Sequence, residues 1–367
     1  MSHAPSPSAP PFCPNPACRF HRGDRHLWRF KRAGSYTRQR PPFRVQCFRC
    51  VTCRRQFGDQ TFRTTYWLKR PDLLAPTFLR LVACSGFRQI AREFRVSPTT
   101  IERMSARLGR HGLLFHEQRR PRGILAEPYT LDSFESFEWS QFYPTSYHVG
   151  VGRQSHFFYG FTASELRRKG RMTKGQKRRR AKLEARFGRP DPRAVEQDVA
   201  RLLAITVPRA QALELHSDEH RDYPRALRRV AHLEVDHRTI SSRAARTAQN
   251  PLFPINLLDL LLRHSGSNHK RETIAFSKRR ASAFERLGVF LVWRNWMKWF
   301  SERKRAKGTP AMRLGLVDRR LEVEDVLAQR LFPTRIELPE PWRQYYWRTV
   351  RTRALPRCRE FHRRYAM

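Results

Sequence analysis

Residues 212–223 read Ala-Leu-Glu-Leu-His-Ser-Asp-Glu-His-Arg-Asp-Tyr, and the fold assignment starts from them. Leu213 and Leu215 alternate with polar neighbours, the period of a half-buried strand, and Ser217-Asp218-Glu219-His220 reads as its end opening into a loop or helix start. Open α/β sheets place working groups at the carboxyl ends of strands. Asp218 capping the next helix is the plain alternative. A second apolar run ending in an acid, Tyr129-Thr130-Leu131-Asp132, and a third acid on a later helix turn the pattern into a candidate metal-binding carboxylate cluster.

Such acids are out of character in this chain. Its 367 residues carry 74 Lys and Arg against 32 Asp and Glu, a formal charge of +42. A chain of this length can bury a substantial core and divide into two or three domains. The charge points to a polyanion. No apolar run is long enough to span a membrane and no secretory segment is apparent, so nucleic acid is the expected partner and a cytoplasmic, nucleoid-associated location follows.

Five of the seven cysteines fall in the first 53 residues. Cys13 and Cys18 form one pair and Cys50 and Cys53 a tighter one. Two pairs on separate turns can hold a structural Zn²⁺, which a module this small needs to fold. Cys47 is the expected non-ligand, with His21 in place of Cys18 and Cys47 in place of Cys50 as alternatives.

Residues 1–12 are small residues and prolines, an expected disordered tail, and 13–66 an expected zinc ribbon. Residues 67–122 take a helical period with the layout of a helix-turn-helix. Ile90, Ala91 and Phe94 pack its first helix, Val96 anchors the turn, Ser97 caps the second helix and Pro98 opens it. Thr99, Thr100, Arg103 and Arg107 are then the candidate groove contacts.

Residues 123–305 change to strands, with a hairpin around Gly152–Ser155. An acid-bearing strand followed by a hairpin is how a ribonuclease H-like sheet begins, so the expected class is α/β, with a ribonuclease H-like catalytic domain behind the ribbon and the helix-turn-helix. A basic insertion near 167–205 offers phosphate contacts. Asn256, Asp259 and Arg263 share one helix face. Asp259 is either paired with Arg263 or the third metal ligand, and Glu272 is the rival third acid. Helix is expected over 283–303, carrying a Trp293, Trp296, Trp299 stripe, and in a basic C-terminal region, 306–367.

These pieces together resemble a bacterial insertion-sequence transposase of the DDE kind, nearest the insertion-sequence-one group. The residues carrying the resemblance are the ribbon end Cys50–Phe57, the helix-turn-helix, Ser217-Asp218 with Tyr223 downstream, and Asn256–Ser277 with Arg263 and Thr-Ile-Ala-Phe-Ser. The resemblance implies catalytic Asp132, Asp218 and a third acid binding Mg²⁺ or Mn²⁺, double-stranded DNA as partner with cleavage and strand transfer between terminal inverted repeats and target, and a homo-oligomer that pairs two ends. The family has a glutamate heading the helix where this chain has Asn256, so Asp259 or Glu272 takes that role. Arg243, Arg246, Arg263 and His237 are the candidate phosphate contacts near the site. A catalytically inactive, transposase-derived DNA-binding regulator is the first alternative, and a recombinase using Tyr345 or Tyr346 as nucleophile the second.

Overall fold

The computed structural model describes residues 9–39 and 41–355. The expected tail therefore lies largely outside the described residues, but Phe12 does not belong to it. Its ring is buried against Phe62 and Phe332, with the Arg335 guanidinium 3.8 Å from its centroid.

A three-stranded antiparallel sheet, β1 (Phe30–Thr37), β2 (Arg44–Cys50) and β3 (Gln56–Gly58), opens the chain. Helices α1 (Leu74–Leu81), α2 (Phe87–Glu93) and α3 (Pro98–Arg119) follow. The Ser97 hydroxyl accepts from Thr99 N, and Pro98 sits where a missing N–H costs nothing. Ile90 and Ala91 are buried, with Phe94 and Val96 half-buried against the same core.

The second sheet has five strands in the order β6-β5-β4-β7-β8. They are β4 (Tyr129–Phe137), β5 (Pro144–Gly152), β6 (Phe158–Glu165), β7 (Gln211–Ser217) and β8 (Leu233–Thr239). β4, β5 and β6 pair antiparallel, while β7 joins β4 and β8 in parallel. This mixed sheet is compatible with a ribonuclease H-like fold. Between β6 and β7 lie α4 (Lys174–Phe187) and α5 (Ala194–Thr206), and α6 (Tyr223–Leu227) follows β7. α5 packs on one face of the sheet, where the Thr206 and Tyr129 hydroxyls meet at 2.9 Å. α7 (Phe253–Ser265) covers the other, placing Leu258 and Leu262 in one core with Phe134.

The edge strand β6 would expose unpaired backbone groups, a liability in any open sheet. Side chains from distant segments close it. Asn295 takes both polar groups of Phe158, His116 Nε2 lies 2.8 Å from Tyr159 O, and Trp342 Nε1 donates to Phe161 O. The expected helix over 283–303 is accordingly reshaped. α8 runs Arg280–Val292 and widens into a single π turn at Trp293–Met297. The wider turn buries Trp296 and aims Asn295 at the strand edge, so only part of the tryptophan stripe is core. At the C-terminal end the described helices are short, Val323–Leu327 and Trp342–Trp347, and the expected helix beyond 355 lies outside the described residues. Tyr345 and Tyr346 are 3% and 0% exposed. Burial raises both hydroxyls, and their enclosure among core aromatic rings is that of packing residues rather than of the nucleophile the tyrosine-recombinase alternative needs.

α3 and α8 cross with their backbones in contact. A Cβ on Gly109 would stand 2.2 Å from Glu285 O, and one on Gly112 2.4 Å from Gly288 O. Neither helix backbone can yield without disturbing the sheet it braces. Gly109→Ala is expected to destabilise the chain by about 3 kcal/mol, the upper range for overpacking, read as a lower urea midpoint. An unchanged midpoint would show that the helices separate freely.

Burial keeps His116 neutral, its pKa pushed down to about 3, with Arg120 adding to the effect. In the unfolded chain the same imidazole takes a proton near pH 6.5. Between those values only the unfolded chain binds that proton, so stability from this group falls as pH falls, by about 1.4 kcal/mol per pH unit. His116→Gln is expected to flatten the acid side of the stability curve by that slope between pH 6 and 4. Parallel curves for the two proteins would refute the assignment.

Candidate active site and metal centre

Parallel pairing fixes where the first two acids stand. Tyr129 pairs with Leu215 and Thr130 with His216. Two residues further on, Asp132 in β4 and Asp218 just past the end of β7 fall at the same level. The sequence reading puts Asp132 at a strand end, but it stands inside β4, because the antiparallel pairing with β5 carries that strand on to Phe137. β7 stops at Ser217, so Asp218 emerges beside the middle of β4.

Their electrostatics register this proximity. Asp132 is pushed up to about 7, first by burial, against the pull of the Ser133 N–H, and further by the Asp218 and Asp259 carboxylates. The Ser133 N–H donates to its Oδ1 at 2.6 Å. Asp218 is half-buried and its Oδ1 accepts from His220 N at 3.1 Å. The Tyr223 hydroxyl, raised well above its ordinary value by burial and then by Asp132, sits 3.0 Å from Ser133 Oγ.

Asp259 comes from α7, on the face of the sheet that carries Asp132. Its Oδ2 accepts from Arg263 Nε at 3.3 Å, while its buried Oδ1 has no hydrogen-bond partner. One oxygen of this acid is thus paired with Arg263 and the other is left over. Burial raises its carboxyl, and Arg263, Arg271 and Arg246 lower it. Glu272 is exposed in the loop after α7. Arg246 also acts on Asp132, whereas Arg243 lies exposed nearby in the chain. His237 is engaged by Ser217 Oγ at 2.8 Å.

A carboxyl raised first by burial and then by two other acids, and an acid of α7 with one unpartnered oxygen, are groups of the kind that take a divalent cation. The three acids do not yet form a closed ligand cage. Among the described residues, the one group of three or more His, Cys, Asp or Glu with ligand atoms within 4.8 Å of one another is Cys13, Cys18, Cys50 and Cys53.

That cysteine group has the dimensions of a tetrahedral thiolate site. Cys13 Sγ lies 3.6 Å from Cys53 Sγ and Cys18 Sγ 3.9 Å from Cys50 Sγ. Four sulfurs each about 2.3 Å from one Zn²⁺ stand roughly 3.8 Å apart. Trp28 Nε1 donates to Cys50 Sγ at 3.3 Å, a partner outside the ligand set that orients it. Neither alternative ligand fits. His21 spends its two ring nitrogens on Cys13 O and Thr334 Oγ1, and Cys47 faces away on β2 opposite Gly58.

Of the expected groove contacts, Thr99 and Arg103 are exposed on the first turns of α3, and Thr100 is half-buried. Arg107 is a correction. It turns inward and donates to Thr64 O and Tyr66 O, both at 2.8 Å, tying the cysteine-bearing module to α3.

The basic insertion folds as α4, no residue of which is buried. Its one acid, Glu184, faces inward to Arg167, Arg180 and Arg189. Lys174, Arg178 and Lys182 lie on the opposite, exposed face, with Ala181 and Ala185 between them.

Sequence reasoning missed a polar row on the other face of the sheet. Tyr223 OH, Ser133 Oγ, His148, Ser164 Oγ and Asp198 are hydrogen-bonded in succession. Its signal was there, as single polar residues on otherwise apolar strands. The row fixes the strands that carry the acids, each of its buried groups being satisfied by the next.

No helix among the described residues is long and apolar enough to cross a membrane. No family model and no curated protein matches this chain. Among solved structures it is similar to a chain of the cryoEM structure of the simian T-cell lymphotropic virus intasome in complex with PP2A regulatory subunit B56 gamma. That likeness has a TM-score of 0.26 at 14% identity, over 64% of this chain and 70% of that one, and at such a score it carries no weight beside the site's own geometry.

Proposed function

We propose that the chain is a metal-dependent DNA transposase of the DDE kind, which binds element ends and catalyses strand cleavage and strand transfer. The observation that carries this reading is that Asp218, just past the end of β7, falls level with Asp132 on the parallel neighbour β4, and that both Asp218 and Asp259 of α7 act on the Asp132 carboxyl. In this reading Asp132, Asp218 and the free Oδ1 of Asp259 hold two Mg²⁺ or Mn²⁺ ions. Such a pair of ions supplies activation of the attacking oxygen and stabilisation of the departing one.

The chain's own residues do the rest. Arg246 and Arg263 offset the charge of the scissile phosphate, and the exposed face of α4 takes the backbone further along. Thr99, Thr100 and Arg103 contact a groove from α3, while the four cysteines hold a zinc ribbon that carries part of the end recognition. Pairing two ends requires a homo-oligomer on nucleoid DNA. A charge of +42 supports a large phosphate footprint.

Asn256 in place of the family's glutamate keeps the inactive DNA-binding regulator as a second reading. The two separate in one assay. Purified protein is incubated with supercoiled DNA carrying the element's ends, with Mg²⁺, with Mn²⁺ or with EDTA. Nicking and joined products that appear only with the divalent ion support the transposase. Retention of the DNA with no metal-dependent product establishes the regulator.

A further inference from the structure

The segment that follows α7, residues 266–279, is fastened on two sides and apolar at its tip. On the side of the five-stranded sheet, the His269 ring meets Phe134 edge-on at 5.2 Å and the Phe276 ring lies 4.5 Å from Phe137. Both contacts are with β4, the strand of Asp132. On the other side the segment meets the start of α2. Cys84 N donates to Ser265 O at 2.8 Å, Ser267 Oγ donates to Ser85 O at 3.2 Å, and a Cβ on Gly86 would stand 3.8 Å from that of Ala275. The loop therefore fills the seam between the carboxylates and the helices that carry the candidate groove contacts.

Ile274 stands at its tip, 96% exposed, the most exposed large apolar side chain among the described residues. An isolated apolar group at a surface needs no explanation by itself. This one is held outward. The Thr273 hydroxyl donates to Ser267 O at 3.0 Å and accepts from Ala275 N at 2.9 Å, so one side chain fixes the backbone around Ile274. β-Branching restricts χ1 of isoleucine, so little side-chain freedom is lost when it is enclosed. The surroundings are positive. Lys270, Arg271 and Lys278 are exposed on the loop and Arg88 on α2, against the single acid Glu272. Arg271 also acts on the Asp259 carboxyl, which ties the loop to the acid site.

A stiff aliphatic tip with a cationic rim matches an apolar gap flanked by phosphates, and duplex DNA offers that gap once a base step is opened. We propose that Ile274 is a wedge that enters duplex DNA between two base pairs beside the carboxylate site, while Lys270, Arg271 and Lys278 hold the backbone around it. This rests on the reading of the chain as a DNA-processing protein and adds how the strand is prepared. DNA held by both α3 and the carboxylates crosses this loop, and opening a step there kinks the duplex next to the phosphate to be cut.

The test uses the full-length protein loaded with Zn²⁺ and element-end duplexes carrying 2-aminopurine at successive positions, without Mg²⁺ or Mn²⁺ so that no strand is cut. Emission is expected to rise at one step, where the bases unstack, and to stay low elsewhere. Ile274→Ala, at a position outside the core, is expected to remove that rise, and Ile274→Leu to keep it. A mismatch at the same step lowers the cost of opening it, and is expected to tighten binding by the unaltered chain about tenfold while leaving Ile274→Ala unaffected. No rise with the unaltered chain, or a rise that survives Ile274→Ala, overturns the wedge and leaves the DNA reading standing. Failure to bind any of the duplexes overturns both.

Discussion

An Asp218→Asn chain is expected to lose metal-dependent strand cleavage by at least about a thousandfold, which is about 4 kcal/mol of barrier, while its affinity for element-end DNA stays within about twofold. The carboxylate follows directly on β7, level with Asp132 of the neighbouring strand, and is half-buried, so asparagine fits its place and keeps the His220 N–H contact through its carbonyl oxygen. What asparagine removes is a negative ligand.

The companion variant at Asp132 separates ligation from packing. Asp132 is pushed up to about 7 by burial and then by two other acids, so the folded chain without metal holds a strained carboxyl. Asp132→Asn relieves that conflict, and its melting temperature without divalent ion is expected to equal or exceed that of the unaltered protein. A ligand that binds only the folded state raises the melting temperature of the unaltered protein, so Mg²⁺ or Mn²⁺ should do so there and not in either variant. Full cleavage by Asp218→Asn, or an unchanged response to metal in both variants, would dismiss the carboxylates as the site.

That an acid follows each of two apolar strands was legible because alternation is a local pattern, as around Leu213 and Leu215. That β7 lies next to β4 in parallel, bringing Asp218 level with Asp132, appears only in the assembled sheet. The actual length of β4 was not legible. It depends on β5, whose pairing carries the strand past Asp132, and no local pattern records that. Ser97 and Pro98 announced the start of α3 because a cap is a local interaction. Arg107 was misplaced for the converse reason, since periodicity puts it on the outer face and only the folded chain shows two carbonyls from residues 64 and 66 waiting for it. The edge of β6 is the clearest case of what sequence withholds. Asn295, His116 and Trp342 come from three separate segments, and their common task appears only when the strand they cap is in place.

Removing the thiolate site is expected to have the largest effect on stability. One Zn²⁺ per chain should be found by metal analysis, and Cys50→Ser or Cys18→Ser should lower that stoichiometry sharply, whereas Cys47→Ser should leave it at one. Structural zinc in small modules contributes on the order of 10 kcal/mol of apparent binding energy, and that energy is folding energy. The hydrophobic cluster around the cysteines is too small to replace it, consisting mainly of Phe12, Trp28, Phe48, Phe57 and Phe62 with Phe332 from far down the chain.

Unfolding should not stop at this module. Thr334 and Arg335 are held through His21 Nε2, Arg22 Nε and His21 O, so the segment around residue 334 loses its anchor with the metal. Amide exchange after chelation is therefore expected to rise in residues 13–62 and again near 332–336, while β4 and β7, held by their own sheet, stay protected. If the chelated protein keeps its exchange pattern in both regions, the four cysteines are packing residues and the zinc assignment fails.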